Sequence, residues 1–261
     1  MFEPFIGQIH DNRKPIEDIQ LTGPIYLQEL MNCRFQSTSL FTTSKAWFWR
    51  ILMNRNLVDL AKKNLTELSE LCSNKKLVVA KTIRIRDNTA LQRLSGYFGN
   101  DTALLFLVRD PRGLLNSRNN ESPAYKHSSL NSKSEDMDTT CKSMLQNLKF
   151  IQSYQVTNNK PRLLLIKYED FSENPLMQSQ KLYADLGLIL PNEVKTWIRN
   201  NTNSEDKHNK LGMQYIYGTK KNSKIVHQRW KKQLRLPELR MVQKLTTCAK
   251  LMKALNYDFV L

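Results

Sequence analysis

Short continuous apolar runs mark three candidate strands in this chain. Leu77–Thr82 (LVVAKT), Ala103–Val108 (ALLFLV) and Leu163–Ile166 (LLLI) are each of strand length. Uninterrupted runs of this kind are typical of strands that are buried on both faces, as in a parallel sheet. We therefore expect these three segments to form a central parallel sheet.

Helical patterns fill the intervals between these runs and continue after the last of them. The segments are Leu57–Leu71, Thr89–Leu94, Pro111–Arg118, Thr139–Val156, Pro175–Leu186, Pro191–Asn201, Ile225–Leu234 and Pro237–Leu255. Pro111 stands where a first-turn proline belongs, and Gly187 is a reasonable C-cap. Alternation of strands and helices predicts an α/β fold with a central parallel sheet flanked by helices.

Two polar stretches, Asn119–Asp138 and Asn200–Lys224, predict loops by their composition. Neither is repetitive enough to be an interdomain linker, so we expect residues 1–261 to form a single domain. No apolar run approaches the roughly 18 residues of a membrane helix. The first ten residues lack the basic start and apolar centre of a signal peptide. The sequence as given therefore predicts a soluble chain.

The net charge of the chain favours some classes of binding partner over others. The 261 residues include 40 Lys and Arg against 24 Asp and Glu, a net charge of +16. This balance favours an anionic partner, whether a nucleic acid, an acidic membrane surface, a sulfated or sialylated glycan, or a nucleotide phosphate. A solvated basic face is the alternative interpretation. The glycines form neither G-x-G-x-x-G nor G-x-x-x-x-G-K-[ST], so the two common glycine-rich phosphate loops are absent.

The cysteines and the N-glycosylation sequons indicate which cellular compartment and which kinds of metal site fit this chain. The four cysteines are Cys33, Cys72, Cys141 and Cys248, with no C-x-x-C that would indicate a zinc ribbon. Three pairings are possible and the sequence does not choose among them; our working expectation is Cys33 with Cys72 and Cys141 with Cys248. N-x-[ST] sequons occur at Asn64, Asn100, Asn120 and Asn200, which fits a secretory lumen. The histidines have no metal or triad spacing, and we expect His10, His127, His208 and His227 at the surface.

The segment from Leu104 to Arg118, LLFLVRDPRGLLNSR, combines a strand, two charged residues and a proline-started helix. Ligands of open α/β sheets bind outside the carboxyl ends of the strands, where a helix N-terminus favours anions. An arginine fork at Arg109 and a hydroxyl at Ser117 suit a phosphate. Taken alone, the triplet Arg109-Asp110-Pro111 is as often only a salt bridge at a strand end.

The whole segment resembles the 3′-phosphate-binding strand and helix of sulfotransferases that use PAPS, and within them the Golgi carbohydrate sulfotransferases. Five further motifs resemble that family in the same order. They are KTIRIRD (Lys81–Asp87), LLLIKYEDFSENP (Leu163–Pro175), WIRNNT (Trp197–Thr202), YGTKKNSKIVHQRWKKQL (Tyr217–Leu234) and CAKLMKALNYDF (Cys248–Phe259). The resemblance implies a P-loop-like sulfotransferase fold, PAPS as donor and no metal. It also implies a glycan acceptor sulfated at the 6-hydroxyl of GlcNAc, Gal or GalNAc, as in keratan or chondroitin sulfate, and a Golgi lumen location.

The resemblance also implies roles for particular residues. Arg109 and Ser117 match ligands of the 3′-phosphate of PAPS. Asp110 and Arg112 lie within the same cofactor-binding motif, although they can equally brace the strand end. Lys81 matches a lysine close to the transferred sulfuryl group, where an ammonium offsets developing charge; an exposed strand-end lysine is the alternative.

Glu3 is the candidate general base. Phe2-Glu3-Pro4 resembles the family's aromatic-Glu-Pro tripeptide, and the position at which cytosolic relatives carry a histidine base is Ile83 here. A carboxylate suits the removal of a proton from the acceptor hydroxyl as it attacks. The strand and 5′-phosphosulfate loop that precede this tripeptide in relatives, and the family's type II membrane anchor, are expected to be missing from the sequence as given.

Three functions are therefore compatible with the sequence. The first is a PAPS-dependent carbohydrate sulfotransferase. The second is a catalytically inactive remnant that binds a glycan or adenosine bisphosphate, which absence of the phosphate loop would favour. The third, a nucleic-acid binder, rests on charge alone and lacks any RNA-recognition or zinc signature, so we expect no specific nucleic acid partner.

Overall fold

The computed structural model describes residues 27–35, 64–81, 88–99, 101–156, 162–203 and 220–260. The chain forms two compact units, Met1–Thr102 and Ala103–Leu261. The single domain expected over residues 1–261 stays a prediction. In the described residues no helix is both long and apolar enough to cross a membrane.

The first unit contains helices α1 (Leu65–Ser73) and α2 (Asn88–Tyr97). A disulfide joins Cys33 to Cys72 near the end of α1, which confirms the expected pairing. The strand predicted at Leu77–Thr82 is wrong over residues 77–81, which are irregular, and Val79 is 77% exposed. Apolar composition alone does not make a strand, because its backbone N–H and C=O groups also need partners.

The second unit contains both strands and ten helices of the described chain. The strands are β1 (Ala103–Val108) and β2 (Arg162–Lys167). The helices are α3 (Pro111–Glu121), α4 (Pro123–Lys126), α5 (Leu130–Val156), α6 (Tyr168–Glu173), α7 (Pro175–Asp185), α8 (Asn192–Thr202), α9 (Ser223–Val226), α10 (Trp230–Gln233), α11 (Leu236–Lys244) and α12 (Thr246–Ala254). Helices lie between the two strands, as an α/β fold predicts, and helices alone follow the second strand, as the sequence pattern predicts.

The two strands pair in parallel, from Ala103 opposite Arg162 to Val108 opposite Lys167. Both were predicted from their apolar runs. The expected burial on both faces is met only in part: Val108 and Leu163 are buried, whereas Leu105 and Leu107 remain 46% and 58% exposed.

The core of this unit lies among β1, α3, α5, α11 and α12. Its buried members are Val108, Leu115, Met137, Cys141, Leu148, Val242, Cys248, Leu251 and Leu255. The second disulfide, between Cys141 of α5 and Cys248 of α12, lies inside this cluster and confirms the other expected pairing. The core therefore fixes the C-terminal helices against the helices that flank β1.

Several helix boundaries differ from the sequence expectation. The loop predicted at Asn119–Asp138 is largely helical, because α5 begins at Leu130. Pro237–Leu255 is two helices separated at Leu245, whose backbone is extended, and Ile225–Leu234 is interrupted by a turn between α9 and α10. Gly187 does close α7, and its φ of +71° explains why glycine stands there.

Candidate functional site

The carboxyl ends of the two strands meet at one edge of the sheet. Because Val108 lies opposite Lys167, the residues that follow β1 lie beside those that follow β2. Arg109 and Asp110 therefore adjoin the first residues of α6, and Asp110 is also the N-cap of α3. This places an arginine, a buried acid and a helix N-terminus together, which is the usual location of a ligand in such folds.

The Arg109 side chain lies over the first turn of α3. Its guanidinium carbon is 4.3 Å from the centroid of the Tyr168 ring. Its Nε is buried and has no hydrogen-bond partner in the described part of the chain. A Cβ on Gly113 would lie 3.3 Å from this Nε, so the absence of a side chain there allows the arginine its close approach to the helix.

Glu169 ties the end of β1 to the C-terminal segment. Its Oε1 accepts a hydrogen bond from the backbone N–H of Asp110 at 3.0 Å, and its Oε2 accepts one from the Tyr257 hydroxyl at 2.5 Å. Burial and the neighbouring Glu169 carboxylate together raise the pKa of Tyr257 well above its ordinary value. Tyr257 therefore stays a donor, and Glu169 shapes the turn after β2 rather than facing a ligand.

Arg112 and Asp110 form a buried ion pair, with Nη2 2.7 Å from Oδ2 and both side chains almost fully inaccessible. The Arg112 Nε also donates to Asp110, while its Nη1 donates to Gln243 and to the carbonyl of Asp258. The Trp230 ring covers the guanidinium at 4.2 Å. With each of its nitrogens already bonded, Arg112 faces the protein, which favours the bracing interpretation over the cofactor-binding one.

Ser117 lies one helical turn beyond Gly113, so both are on the face of α3 that Arg109 covers. Its hydroxyl donates to Glu121 at 3.0 Å and is partly exposed. A hydroxyl in this position can exchange that partner for an anion held at the same face.

The remaining candidates are Lys81, Glu3 and the histidines. Lys81 belongs to the first unit and is exposed in irregular chain, and Glu3 lies outside the described residues.

His127 is exposed as expected, but the surface expectation for His227 is wrong. His227 is buried, with Nδ1 3.0 Å from the carbonyl oxygen of Ser223 and Nε2 3.6 Å from Glu173, and this packing could not be predicted locally. His10 and His208 also fall outside the described residues.

Three residues at the site were not predicted from the sequence. No role was expected there for Tyr168, Trp230 or Gln243. The predicted parallel pairing of the two strands was the available signal for Tyr168, because it brings the two strand ends together. Trp230 and Gln243 come from segments more than 100 positions away from Arg112, and no local pattern marks them.

The arrangement can bind an anion. A cationic fork with an unsatisfied buried donor, next to a helix N-terminus and a hydroxyl, matches the needs of a phosphate group. In the described ranges no group of three or more His, Cys, Asp or Glu side chains could hold a metal ion.

Comparison with known proteins identifies relatives of one kind. A family model described as a sulfotransferase domain matches residues 20–256. Carbohydrate sulfotransferase 1 of Danio rerio is 30% identical over 215 residues, covering 77% of this chain and 49% of the relative. Carbohydrate sulfotransferase 3 of Tetronarce californica is 30% identical over 213 residues, covering 78% and 47%. The human carbohydrate sulfotransferase 1 is 27% identical over 209 residues, covering 74% and 48%.

The chain thus spans about half the length of the curated relatives it matches. No solved structure matches it significantly.

Proposed function

Because this chain belongs to the sulfotransferase domain family, we propose that it takes part in transferring a sulfuryl group from PAPS to a sugar hydroxyl of a glycan. The acceptor position proposed is the 6-hydroxyl of GlcNAc, Gal or GalNAc, and the compartment is the Golgi lumen. The names of the relatives, carbohydrate sulfotransferases 1 and 3, support a sugar acceptor.

The observation that carries the proposal is the unsatisfied Nε of Arg109. A buried donor without a partner costs roughly 1–3 kcal/mol, so its retention at a strand end calls for a ligand. The 3′-phosphate of the donor fits this need in charge and hydrogen-bonding capacity. Arg109 would hold the phosphate, and the hydroxyl of Ser117 on the same face of α3 would donate a further bond.

The neighbouring residues keep this arginine in place. Tyr168 supports one face of its guanidinium, and Gly113 leaves room for it against α3. Asp110 and Arg112 fix the start of α3 through their buried ion pair. The phosphate-binding groups are therefore positioned before a ligand arrives, which lowers the entropy lost on binding.

Lys81 and Glu3 supply the chemistry in this proposal. PAPS contributes the sulfuryl group and adenosine 3′,5′-bisphosphate as leaving group. The ammonium of Lys81 would offset the negative charge that develops as the leaving group departs. The carboxylate of Glu3 would accept the proton of the attacking sugar hydroxyl.

The net charge of +16 suits the proposed reactants. A basic protein attracts both a nucleotide with several phosphate charges and an acidic glycan acceptor, and raises the rate at which they meet.

Calorimetry with adenosine 3′,5′-bisphosphate tests the donor site directly. We expect Arg109→Ala to weaken binding at least tenfold, because a charge-assisted hydrogen bond contributes about 1.5–3 kcal/mol. Arg240→Ala is the matched control, since Arg240 is exposed on α11 and its loss changes the net charge equally. Equal affinities for the two variants would contradict the assignment of Arg109.

Transfer of labelled sulfate tests the activity. The full protein, supplied with PAPS and with glycans ending in GlcNAc, Gal or GalNAc, is expected to label at least one of them at the 6-hydroxyl. Tight binding of adenosine 3′,5′-bisphosphate without any transfer would overturn the enzymatic proposal.

A further inference from the structure

The four N-x-[ST] sequons differ in their structural surroundings. Asn64, Asn120 and Asn200 lie within the described residues, whereas Asn100 does not. Attachment of a glycan requires a surface asparagine whose side-chain nitrogen can carry a sugar without loss of native contacts. The three described sequons can therefore be compared by what each Nδ2 does.

Asn64 satisfies this requirement. It is exposed and is the N-cap of α1, with extended backbone angles of φ −152° and ψ 96°. Its Oδ1 accepts hydrogen bonds from the backbone N–H groups of Thr66 and Glu67 at 3.1 and 3.2 Å. The amide oxygen thus performs the capping, and no acceptor in the described chain is paired with Nδ2. Substitution on Nδ2 leaves the oxygen, and so the cap, intact.

The first of these bonds also organises the sequon itself. It joins the asparagine side chain to the backbone of Thr66, the third sequon residue, in a turn of the Asx type. Both residues are exposed, so the turn presents the amide and the hydroxyl-bearing residue together at the surface.

Asn120 differs from Asn64 in its position on the backbone and in the use of its Nδ2. It lies within the helix α3, and its Nδ2 donates to Oε1 of Gln233 at 3.1 Å. The same oxygen accepts from Nδ2 of Asn116, so the three amides form one contact between α3 and α10. A glycan on Asn120 would remove a donor from this contact and place a bulky group beside it.

Asn200 is exposed, but it lies inside the helix α8 rather than at a turn. Of the three described sequons, only Asn64 combines extended backbone with a capping oxygen.

The cysteines indicate that the chain passes through a compartment where N-glycans are added. Both pairs are joined as disulfides, and none of the described cysteines is free. Disulfides of this structural kind persist in secretory and extracellular proteins and are rare in the cytosol. The Cys33–Cys72 bond lies at the opposite end of α1 from Asn64, so the helix that carries the sequon is anchored.

We propose that Asn64 carries an N-linked glycan. The reaction joins Nδ2 of Asn64 to the anomeric carbon of an oligosaccharide donated from an isoprenoid diphosphate. The C–N bond forms as the bond from the anomeric carbon to the diphosphate oxygen breaks; the amide loses one proton and the isoprenoid diphosphate leaves. This proposal concerns a modification of the chain and does not depend on its catalysing sulfate transfer.

Mass spectrometry tests the site in the full protein produced in the secretory pathway of cultured eukaryotic cells. Release of N-glycans by a peptide N-glycosidase in ¹⁸O water converts each occupied asparagine to a labelled aspartate. We expect the label at Asn64 and none at Asn120. The Asn200 peptide is measured in the same digest.

Three variants identify the cause of any change in electrophoretic mobility. Asn64→Asp keeps the capping oxygen but cannot be glycosylated, and Thr66→Ala keeps Asn64 itself but destroys the sequon. Each should lose the mobility shift of one glycan, and Asn64→Asp should unfold at an unchanged temperature. Thr66→Ser preserves the sequon and should keep the shift.

An unlabelled Asn64 peptide, in protein whose disulfides have formed, would overturn the proposal. Occupancy of Asn120 together with an unmodified Asn64 would overturn it equally. A protein that is glycosylated at Asn64 but transfers no sulfate would support this inference and contradict the proposed function.

Discussion

The guanidinium of Arg109 stacks on the ring of Tyr168, with 4.3 Å between the guanidinium carbon and the ring centroid. Each residue directly follows a strand, and the parallel register that sets Val108 opposite Lys167 is what brings them together. The stacking holds the arginine by its flat face, and its Nε has no hydrogen-bond partner among the described residues.

Replacement of Tyr168 tests this support. Tyr168→Leu should weaken binding of adenosine 3′,5′-bisphosphate about two- to fivefold, because a cation–π contact contributes about 0.5–1 kcal/mol. Tyr168→Phe retains the ring face and should bind as the parent does in calorimetry. If Phe and Leu weaken binding equally, the phenolic hydroxyl and not the ring face supports the site.

Breaking the buried ion pair should reduce stability. Arg112→Met leaves the carboxylate of Asp110 without its partner, and we expect a loss of about 3–5 kcal/mol in the free energy of unfolding by urea. The double variant Asp110→Asn/Arg112→Met should lose less than the sum of the single variants. A direct ligand contact by Arg112 would instead appear as a loss of nucleotide affinity in the folded variant, as large as that of Arg109→Ala.

Glu238 should make stability depend on acid pH. Burial alone would raise its pKa, but hydrogen bonds from Arg235 and Lys133 lower the pKa of Glu238 to about 2. The Lys133 ammonium is fully buried, 2.7 Å from Oε1 of Glu238. A carboxyl whose folded pKa lies below its unfolded value of 4.5 stabilises the protein above that pH, and the contribution disappears as pH falls towards 2.

The measurement is unfolding by urea at several pH values between 7 and 2 for the parent and for Glu238→Gln. The parent should lose roughly 3 kcal/mol more than the variant over this range, at about 1.4 kcal/mol for each pKa unit. If the free energy of unfolding falls equally with pH in the two proteins, the carboxyl of Glu238 does not have a lowered pKa.

Loss of the core disulfide should destabilise the second unit. The Cys141–Cys248 bond closes a loop with a sequence separation of 107, for which restriction of the unfolded chain predicts roughly 4–5 kcal/mol. Urea unfolding of Cys141→Ser/Cys248→Ser, compared with the oxidised parent, measures this directly. A difference below about 1 kcal/mol would mean that the helices α5 and α12 hold together without the bond.

The strands and the position of Arg109 at the sheet edge could be predicted because their signals are local. Ala103–Val108 is a strand over the predicted residues, and β2 extends the predicted Leu163–Ile166 by one residue at each end. The pattern of a buried strand followed by a proline-started helix also predicted that Arg109 lies at the edge of the sheet, as found.

The errors arise where distant residues decide the structure. The stretch before Thr139 is polar and so predicted a loop, yet Met137 is fully buried and Lys133 is paired with Glu238, 105 positions away. Arg112 was open to two interpretations for the same reason. Its partners Gln243 and Asp258 are remote in sequence, and only the fold shows that its donors are already used.

The connectivity of the disulfides bears on how the protein is made. The two bonds join consecutive cysteines along the chain: the first to the second and the third to the fourth. During synthesis the N-terminal part emerges first. Cys33 and Cys72 are therefore both exposed to oxidant before Cys141 leaves the ribosome. The native bonds are those that order of emergence alone produces, so a newly made chain can reach them without exchanging partners.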